Sequence, residues 1–408
     1  MAVSRRAFCS QAGALLLTPR LLLSQSGHPQ TSTARPNVAA IDHDRILQAA
    51  DHYLGVTPAP LTSFPCKHSP GSAHDFYSEA DDYWPDPAKP DGPYLQRNGQ
   101  PNPAAFTAHR DALLHFGIQV PALAAAYVLT KEERYADRAV RHLRAWFIDS
   151  ASSMTPSLRY AQTVLPAKEG RFEGVLESVS LAEVAQALPF LANSEALTKD
   201  DSDALQSWFA AYLQWLNSSR LAGLARDHKS HHGSSWLLQA AAFTRLHLAL
   251  SPNADDAPLS DLRHRYKSIT IRAQITADGT FPNELTTRNP YRLSLFNLDM
   301  LAAICQLVST QFDSVWEFDL QDGPGMRAAI ARHFPYIKNR GAWPYPADTT
   351  HFNDLPLRQP SLLFCARAYT RPEYADLWRT LPADTEIAEL QRTFPIRQPL
   401  LWVTRLRA

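Results

Sequence analysis

The chain has 408 residues, 45% of them hydrophobic, which is enough to bury a large core. Its 40 basic and 40 acidic residues cancel. This balance argues against a global field that would hold the protein on nucleic acid or on an anionic membrane. Any anionic ligand must therefore be bound by a local group of cations.

The first 36 residues are predicted to be an export signal followed by a polar tether. The run Ser4-Arg5-Arg6-Ala7-Phe8 precedes a weakly apolar stretch that resembles a twin-arginine signal and is too short to span a bilayer. A disordered cytoplasmic leader is the alternative. We expect a single folded domain over residues 37–408, no integral membrane segment, and a periplasmic or secreted location.

From residue 104 onward the apolar residues recur with the period of a helix. Stripes at intervals of three and four run over 113–127, 135–146, 205–215, 236–250 and 298–308. Strand-like alternation is nearly absent, and only residues 400–404 can be read as a short strand or an extended cap. Long connectors over 63–103, 150–172, 221–235 and 279–293 are of the length that usually carries function. This pattern predicts an all-α fold, an (α/α) toroid or incomplete barrel whose loops form a central cleft.

Three cysteines lie beyond the leader, and their odd number and wide spacing predict neither a disulfide framework nor a CxxC metal site. Cys305 and Cys365 sit in apolar runs, which indicates inert core thiols. The cysteines therefore offer no metal site, and we expect no metal in the active site.

Two connectors carry aromatic and polar side chains suited to sugar binding. In the first, Trp84 and Arg97 lie in a Pro- and Gly-rich loop that either walls a sugar cleft or braces the rim of the fold. In the second, Tyr160, Gln162 and Arg171 suit hydrogen bonds to hydroxyls and carboxylates, and a purely structural loop network is the alternative.

A His-rich turn, with His228, His231 and His232 before Gly233, is the first candidate for catalysis. Imidazole is the side chain that exchanges protons near neutral pH. The i, i+3, i+4 spacing would also suit a metal if the segment were helical, but Gly233 favours a turn.

The second candidate segment runs from Glu284 to Asn297. Arg288 can bind a carboxylate with two parallel hydrogen bonds, and Tyr291 can transfer a proton if neighbouring cations lower its pKa. A structural alternative is a helix-entry loop in which Arg288 pairs with Glu284.

Taken together, these motifs resemble the alginate-lyase-like superfamily of uronate-cleaving polysaccharide lyases. The resemblance rests on motifs that keep their order along almost the whole chain: Tyr83-Trp-Pro-Asp-Pro with Gly92-Pro-Tyr and Arg97-Asn-Gly, Met154-x-Pro-x-Leu-x-Tyr-Ala-Gln162, His232-Gly233 with Trp236 and Gln239, Glu284-Leu with Leu295-Phe-Asn297-Leu298, Arg358-Gln359-Pro360, and 394–399.

The resemblance implies β-elimination on an acidic polysaccharide or oligosaccharide without a cofactor. His232 would be the base or carboxylate partner, His231 and Arg288 would neutralise the uronate carboxylate, and Tyr291 would be the acid. The substrate-binding residues would be Tyr160, Gln162, Arg171, Arg97, Trp84, Glu284 and Asn297.

Two positions depart from the family pattern. The family's Asn-Asn-His-Gly corresponds to Ser230-His231-His232-Gly233, so His231 replaces an amide and must be protonated to neutralise a carboxylate. An ungapped comparison also places Leu293 at the expected catalytic tyrosine. Two other functions stay open: a glycoside hydrolase using Glu284 and Asp227, and a non-catalytic oligouronate-binding relative, which Leu293 favours.

Overall fold

Helices account for most of the chain from Val38 to Val403. The structure, a computed structural model, describes residues 33–251, 253–320 and 323–405, so nearly all of the predicted export segment lies outside the described residues. Up to Leu250 the α-helices are α1 (Val38–Ile41), α2 (His43–Leu54), α3 (Ala108–Thr130), α4 (Glu133–Leu143), α5 (Leu181–Leu191), α6 (Lys199–Ser218), α7 (Arg220–Arg226) and α8 (His231–Leu250). Beyond it they are α9 (Ala257–Arg265), α10 (Ile271–Gln274), α11 (Pro282–Leu285), α12 (Pro290–Val308), α13 (Met326–Lys338), α14 (Pro360–Tyr369), α15 (Pro372–Thr380), α16 (Ala388–Arg392) and α17 (Pro399–Val403). The strands are β1 (Tyr77–Glu79), β2 (Tyr83–Trp84), β3 (Leu95–Gln96) and β4 (Tyr160–Thr163).

Five helices that are apolar around most of their circumference form the inner layer. A helix of this composition is stable only when it is buried on nearly all sides. In chain order, α3 packs on α5, α5 on α8, α8 on α12 and α12 on α14. The result is a continuous row of neighbouring helices, and α3, α5, α8 and α12 each contribute residues to one central cavity.

The remaining long helices pack on the outside of this row. Helix α4 is an example of an amphipathic outer helix: it buries Tyr135, Ala139 and Leu143 on one face and carries charged residues on the opposite face. It covers α3, while α6, α7 and α9 cover α8, α13 covers α12, and α15 covers α14. The predicted helical stripes are thus confirmed as the contacts between an inner and an outer layer.

Aromatic rings fill the space between the two layers near α3 and α6. Phe116 stacks on Trp146 with ring centroids 4.8 Å apart, and Phe147 lies 4.0 Å from Trp208. Trp146 is only 1% exposed, and truncation of such a residue to alanine typically costs about 3–5 kcal/mol. This cluster anchors the inner row to its outer cover.

The short strands were not predicted, and residues 400–404 form neither of the two structures considered for them, a short strand or an extended cap. Strand β1 pairs in parallel with β4, and β2 pairs antiparallel with β3. The tail residues 399–403 form helix α17, which packs on α3 and α5. Pairing across β1 and β4 holds two of the long connectors beside the ends of the inner helices.

Two helical stretches, 108–130 and 172–191, are long and apolar enough to cross a membrane. Their most apolar windows are 78% and 72% buried inside the fold, as is typical of core helices. The described residues from Thr33 onward belong to one compact unit.

Candidate active site

A cavity of about 790 Å³ opens where the inner helices meet the long connectors. Its wall combines seven side chains that carry or can carry positive charge with six carboxylates. The cationic group consists of Arg110, Arg288, Arg292, Arg392, Arg397, His231 and His232. The carboxylates are Asp81, Asp82, Glu173, Glu177, Glu183 and Glu389. Such a wall suits a ligand with both hydroxyl and carboxylate groups.

The two cavity histidines open helix α8. Ser230 caps this helix because its hydroxyl accepts a hydrogen bond from the His232 backbone N–H. The helix therefore begins before Gly233, and the predicted turn at Gly233 is wrong. The rings of His231 and His232 lie 4.3 Å apart, so both imidazoles reach the same part of the cavity.

His232 is held in its neutral form. Burial, reinforced by the nearby positive charges of His231, His228 and Arg171, lowers the pKa of His232 well below its usual 6.5. Its Nδ1 atom is buried without a hydrogen-bond partner among the described residues. A neutral imidazole of this kind retains a lone pair that can take up a proton.

His231 is fixed in place by Glu284, which is fully buried behind it. Glu284 accepts a hydrogen bond of 2.7 Å from the backbone N–H of His231 and another of 2.7 Å from its Nδ1. The two hydrogen bonds fix the orientation of the ring. Glu284 was predicted to bind substrate, but the structure places it in contact with His231, away from the cavity wall.

Position 233 requires glycine because the backbone that precedes helix α8 lies very close to it. A Cβ atom there would lie 2.2 Å from the His228 carbonyl oxygen. We expect Gly233→Ala to cost about 1–3 kcal/mol in stability and to lower activity, because the chain must shift next to both cavity histidines. Thermal denaturation and activity assays test this.

Gly223→Ala is the matched control, since Gly223 lies in helix α7 with nothing within 4 Å of the added Cβ. It is expected to leave activity unchanged and to stabilise the helix by roughly 0.5–1 kcal/mol. Equal effects of the two substitutions would contradict this reasoning.

Arg288 is the cavity arginine that forms no ion pair with any described residue. Arg110 pairs with Asp81, Arg292 with Glu389, and Arg392 and Arg397 also have aspartate partners. The Arg288 guanidinium instead packs on Gly99, where a Cβ atom would lie 2.1 Å from its Nη1. Its hydrogen-bonding capacity is therefore available to an anionic ligand.

Gln162 lines the cavity in a strained backbone conformation with φ +57°. Its side chain donates to Glu177 at 2.5 Å, and Ser78 donates to the same carboxylate at 2.6 Å. Burial raises the pKa of Glu177, while Arg110 and these two hydrogen bonds act in the opposite direction. Strain of this kind is maintained only where the surroundings over-determine it, and it is common in functional sites.

Two predicted site residues belong to the core. The hydroxyl of Tyr291 donates to the Tyr336 carbonyl oxygen at 3.0 Å, and its ring packs against Trp343 and Phe352. Burial raises its pKa above the usual value, the reverse of what an acid catalyst at this position needs. Asn297 is also fully buried and donates to Gln274. Neither side chain forms part of the cavity wall, and the prediction of Tyr291 as the acid is not supported.

Four more predicted residues brace the cavity from outside. Arg97 stacks over Trp84 at 5.0 Å, and Trp84 donates to the Gln100 carbonyl oxygen. Arg171 lies over Tyr83 and pairs with Glu173, which does line the cavity. Tyr160 lies in β4 with Arg159 over its ring. Of the sites predicted from sequence, the cavity thus unites His231, His232, Arg288 and Gln162.

Comparisons with known proteins agree with this architecture. The sequence profile of the alginate lyase family, described as "Alginate lyase", matches residues 62–343. The chain belongs to the alginate lyase family. A search among curated proteins gives no significant match.

Solved structures of the family share the fold. An alginate lyase from Bacteroides ovatus is 26% identical with a TM-score of 0.76, over 90% of this chain and 94% of that one. Alginate lyase A1-III from Sphingomonas species A1 is 13% identical with a TM-score of 0.52, over 93% and 99% of the two chains. A variant of A1-III in complex with a tetrasaccharide is 14% identical, with a TM-score of 0.52 over 93% and 99%. The predicted (α/α) toroid is confirmed, and family membership supports a polysaccharide lyase.

Several cavity residues were not predicted from the sequence. They are Arg110, Arg292, Arg392, Arg397 and Glu177. Arg292, Arg397 and Glu177 lie in largely apolar stretches, where a charged residue is unusual, whereas Arg110 and Arg392 have polar neighbours. A charged residue inside an apolar stretch was the available signal, because such a group is buried only when it is paired.

Proposed function

We propose that the protein cleaves a uronate-containing, alginate-like polysaccharide by β-elimination in the 790 Å³ cavity. The observation that carries the proposal is that Arg288, without an ion-pair partner among the described residues, shares this cavity with the imidazoles of His231 and His232. A guanidinium and two imidazoles in one cavity supply both charge neutralisation and proton transfer.

The first task is to neutralise the uronate carboxylate. Negative charge moves toward this group as the C5 proton leaves, so fixed cations beside it lower the barrier. Arg288 offers two parallel N–H donors to a carboxylate. His231, whose Nδ1 lies 2.7 Å from the buried Glu284 carboxylate, provides the second group that contacts the uronate carboxylate.

The second task is proton transfer, which we assign to His232. The neutral ring takes the C5 proton, a double bond forms between C4 and C5, and the bond from C4 to O4 breaks. The same ring, now an imidazolium, returns the proton to O4 of the departing sugar. One group serves both steps in this scheme because the cavity wall, within the part of the chain that the structure describes, contains no tyrosine.

The two carboxylates predicted for the hydrolase alternative, Asp227 and Glu284, do not line the cavity. Asp227 forms ion pairs with Arg226 and Arg265 on the surface, and Glu284 is buried behind His231. Hydrolysis of a glycosidic bond requires two carboxylates that flank it, and the structure does not bring these two residues together in the cavity.

The proposed substrate is an acidic polysaccharide or oligosaccharide, and the proposed location is the periplasm or the outside of the cell by twin-arginine export. Support for the substrate comes from the family and from the A1-III variant solved with a tetrasaccharide. Support for the location is the Arg5-Arg6 motif, which lies outside the described residues.

Digestion of a panel of uronate polymers tests the reaction. Elimination is expected to produce new reducing ends together with the ultraviolet absorbance of a 4,5-unsaturated uronate. Reducing ends without that absorbance would indicate hydrolysis. Binding of oligouronates without products at any pH would show a non-catalytic relative, the function that Leu293 favours.

A further inference from the structure

Three side chains with different metal-ligating atoms meet outside the cavity. Cys66 and His68 lie in the loop after the 3₁₀ turn Leu61–Ser63, and Glu79 ends strand β1. One thiol sulfur, one imidazole nitrogen and one carboxylate oxygen all lie within 4.8 Å of one another. Among the described residues, this is the group of histidine, cysteine and acidic side chains that comes close enough to share an ion.

Glu79 has an unusual environment for a buried carboxylate. It is 5% exposed and accepts hydrogen bonds from His68 Nδ1 at 2.7 Å, from the Tyr77 hydroxyl at 3.0 Å and from the Phe106 backbone N–H at 3.0 Å. Within the described chain its ion pairs include no lysine or arginine, only the half-exposed His68 ring. A buried negative charge is normally stabilised by a full positive charge, and a bound cation would provide one.

Cys66 and His68 also line a hollow on the surface of about 490 Å³. The hollow gives an ion and its water molecules access to Cys66 and His68, and the Glu79 carboxylate lies directly behind them, 2.7 Å from His68 Nδ1. Cys66 is a free thiol of intermediate exposure, unlike the buried Cys305 and Cys365. It is therefore the described cysteine that a metal in solution can reach.

We infer that Cys66, His68 and Glu79 bind a divalent zinc ion, with water in the fourth position. Thiolate, imidazole and carboxylate are the ligands that zinc takes in proteins. Thiolate and carboxylate together carry two negative charges and balance the ion. Binding releases the thiol proton and replaces the hydrogen bond between His68 and Glu79 with two bonds to the metal.

Such an ion would join the loop at residues 64–68 to β1. Asp81 and Asp82, which follow shortly after Glu79 in the chain, line the large cavity. The zinc would therefore fix one wall of the cavity without taking part in its chemistry. This inference does not depend on the proposed lyase reaction.

The test is metal titration of the full-length protein, purified without a tag under reducing conditions. Calorimetry and elemental analysis are expected to show one zinc ion per chain in the wild type. Cobalt in place of zinc is expected to give the charge-transfer absorption of a thiolate–cobalt bond. Cys66→Ser and His68→Ala are each expected to weaken zinc binding by more than the roughly 10–100-fold that loss of an outer-shell partner costs.

His52→Ala, an exposed histidine on helix α2, is the matched control and is expected to bind as the wild type does. No zinc in the wild type, or unchanged affinity in both Cys66→Ser and His68→Ala, would overturn the inference. If either variant fails to fold, the cobalt spectrum of the wild type tests the inference. A cobalt complex without a thiolate charge-transfer band would exclude Cys66 as a ligand and overturn the inference.

Discussion

Replacement of His232 by alanine is expected to lower turnover of a polyuronate by roughly 10²–10⁴-fold, the usual contribution of a general acid–base catalyst. His232 is the cavity imidazole whose environment keeps it neutral, and in our scheme it handles the proton twice. The loss should appear in kcat, because Arg288 and His231 still bind the uronate carboxylate. Initial rates over a range of substrate concentrations measure it.

The pH profile gives an independent readout of the same residue. Because the pKa of His232 is lowered from 6.5, the ring stays neutral as the pH falls to 6.5 and becomes protonated only at more acidic pH. The acid limb of kcat/KM for the wild type is therefore expected below pH 6.5. A limb above this value would assign the proton to a different group.

His247→Ala is the matched control, since His247 lies exposed near the other end of the same helix α8. It should retain full activity. Full activity in His232→Ala as well, with a folded protein by circular dichroism, would remove His232 from the mechanism.

Replacement of Glu284 by glutamine is expected to have the second largest effect, a loss of about 10²–10³-fold in kcat, as when one group that stabilises developing charge is removed. The substitution keeps the shape of the side chain but removes the charge that faces Nδ1 of His231 at 2.7 Å. His231 then loses the carboxylate that orients its ring for contact with the uronate.

Glu195→Gln, at an exposed carboxylate, is the matched control and should match the wild type. A folded Glu284→Gln variant that keeps the wild-type kcat would remove Glu284 from the mechanism.

The sequence predicted the helices well because their signal is periodic. In α4, residues such as Tyr135, Ala139 and Leu143 recur on one face, and burial of that face against α3 follows directly. The strands gave no comparable signal, since β1 and β4 have three and four residues. Strands this short form because the fold brings their connectors together, which no local pattern shows.

The site was predicted only in part, because the sequence does not show in which direction each side chain points. The sequence placed both Arg288 and Tyr291 near the start of α12. The two residues are three positions apart, and their side chains point in different directions. Arg288 faces the cavity, whereas Tyr291 packs on Trp343 and Phe352. The aromatic partners of Tyr291 come from a later part of the chain, and sequence reasoning had no means of placing them there.

Residues distant in sequence were missed for a related reason. Arg110 and Arg392 both contact Asp81 in the cavity wall, although they lie in opposite halves of the chain. Each taken alone is a charged residue in a helix, and that pattern usually indicates a solvated surface. Only the closure of the toroid brings them together.

Elimination by this scheme requires one arrangement: a sugar carboxylate bound between Arg288 and His231, with the neighbouring C5 hydrogen next to His232. The most direct test is a crystal structure of His232→Ala soaked with a short oligouronate. We predict a uronate in the cavity whose carboxylate lies within hydrogen-bond distance of the Arg288 guanidinium and the His231 ring, with C5 facing the space left by the imidazole. An oligosaccharide bound elsewhere, or a carboxylate directed away from Arg288, would contradict the account.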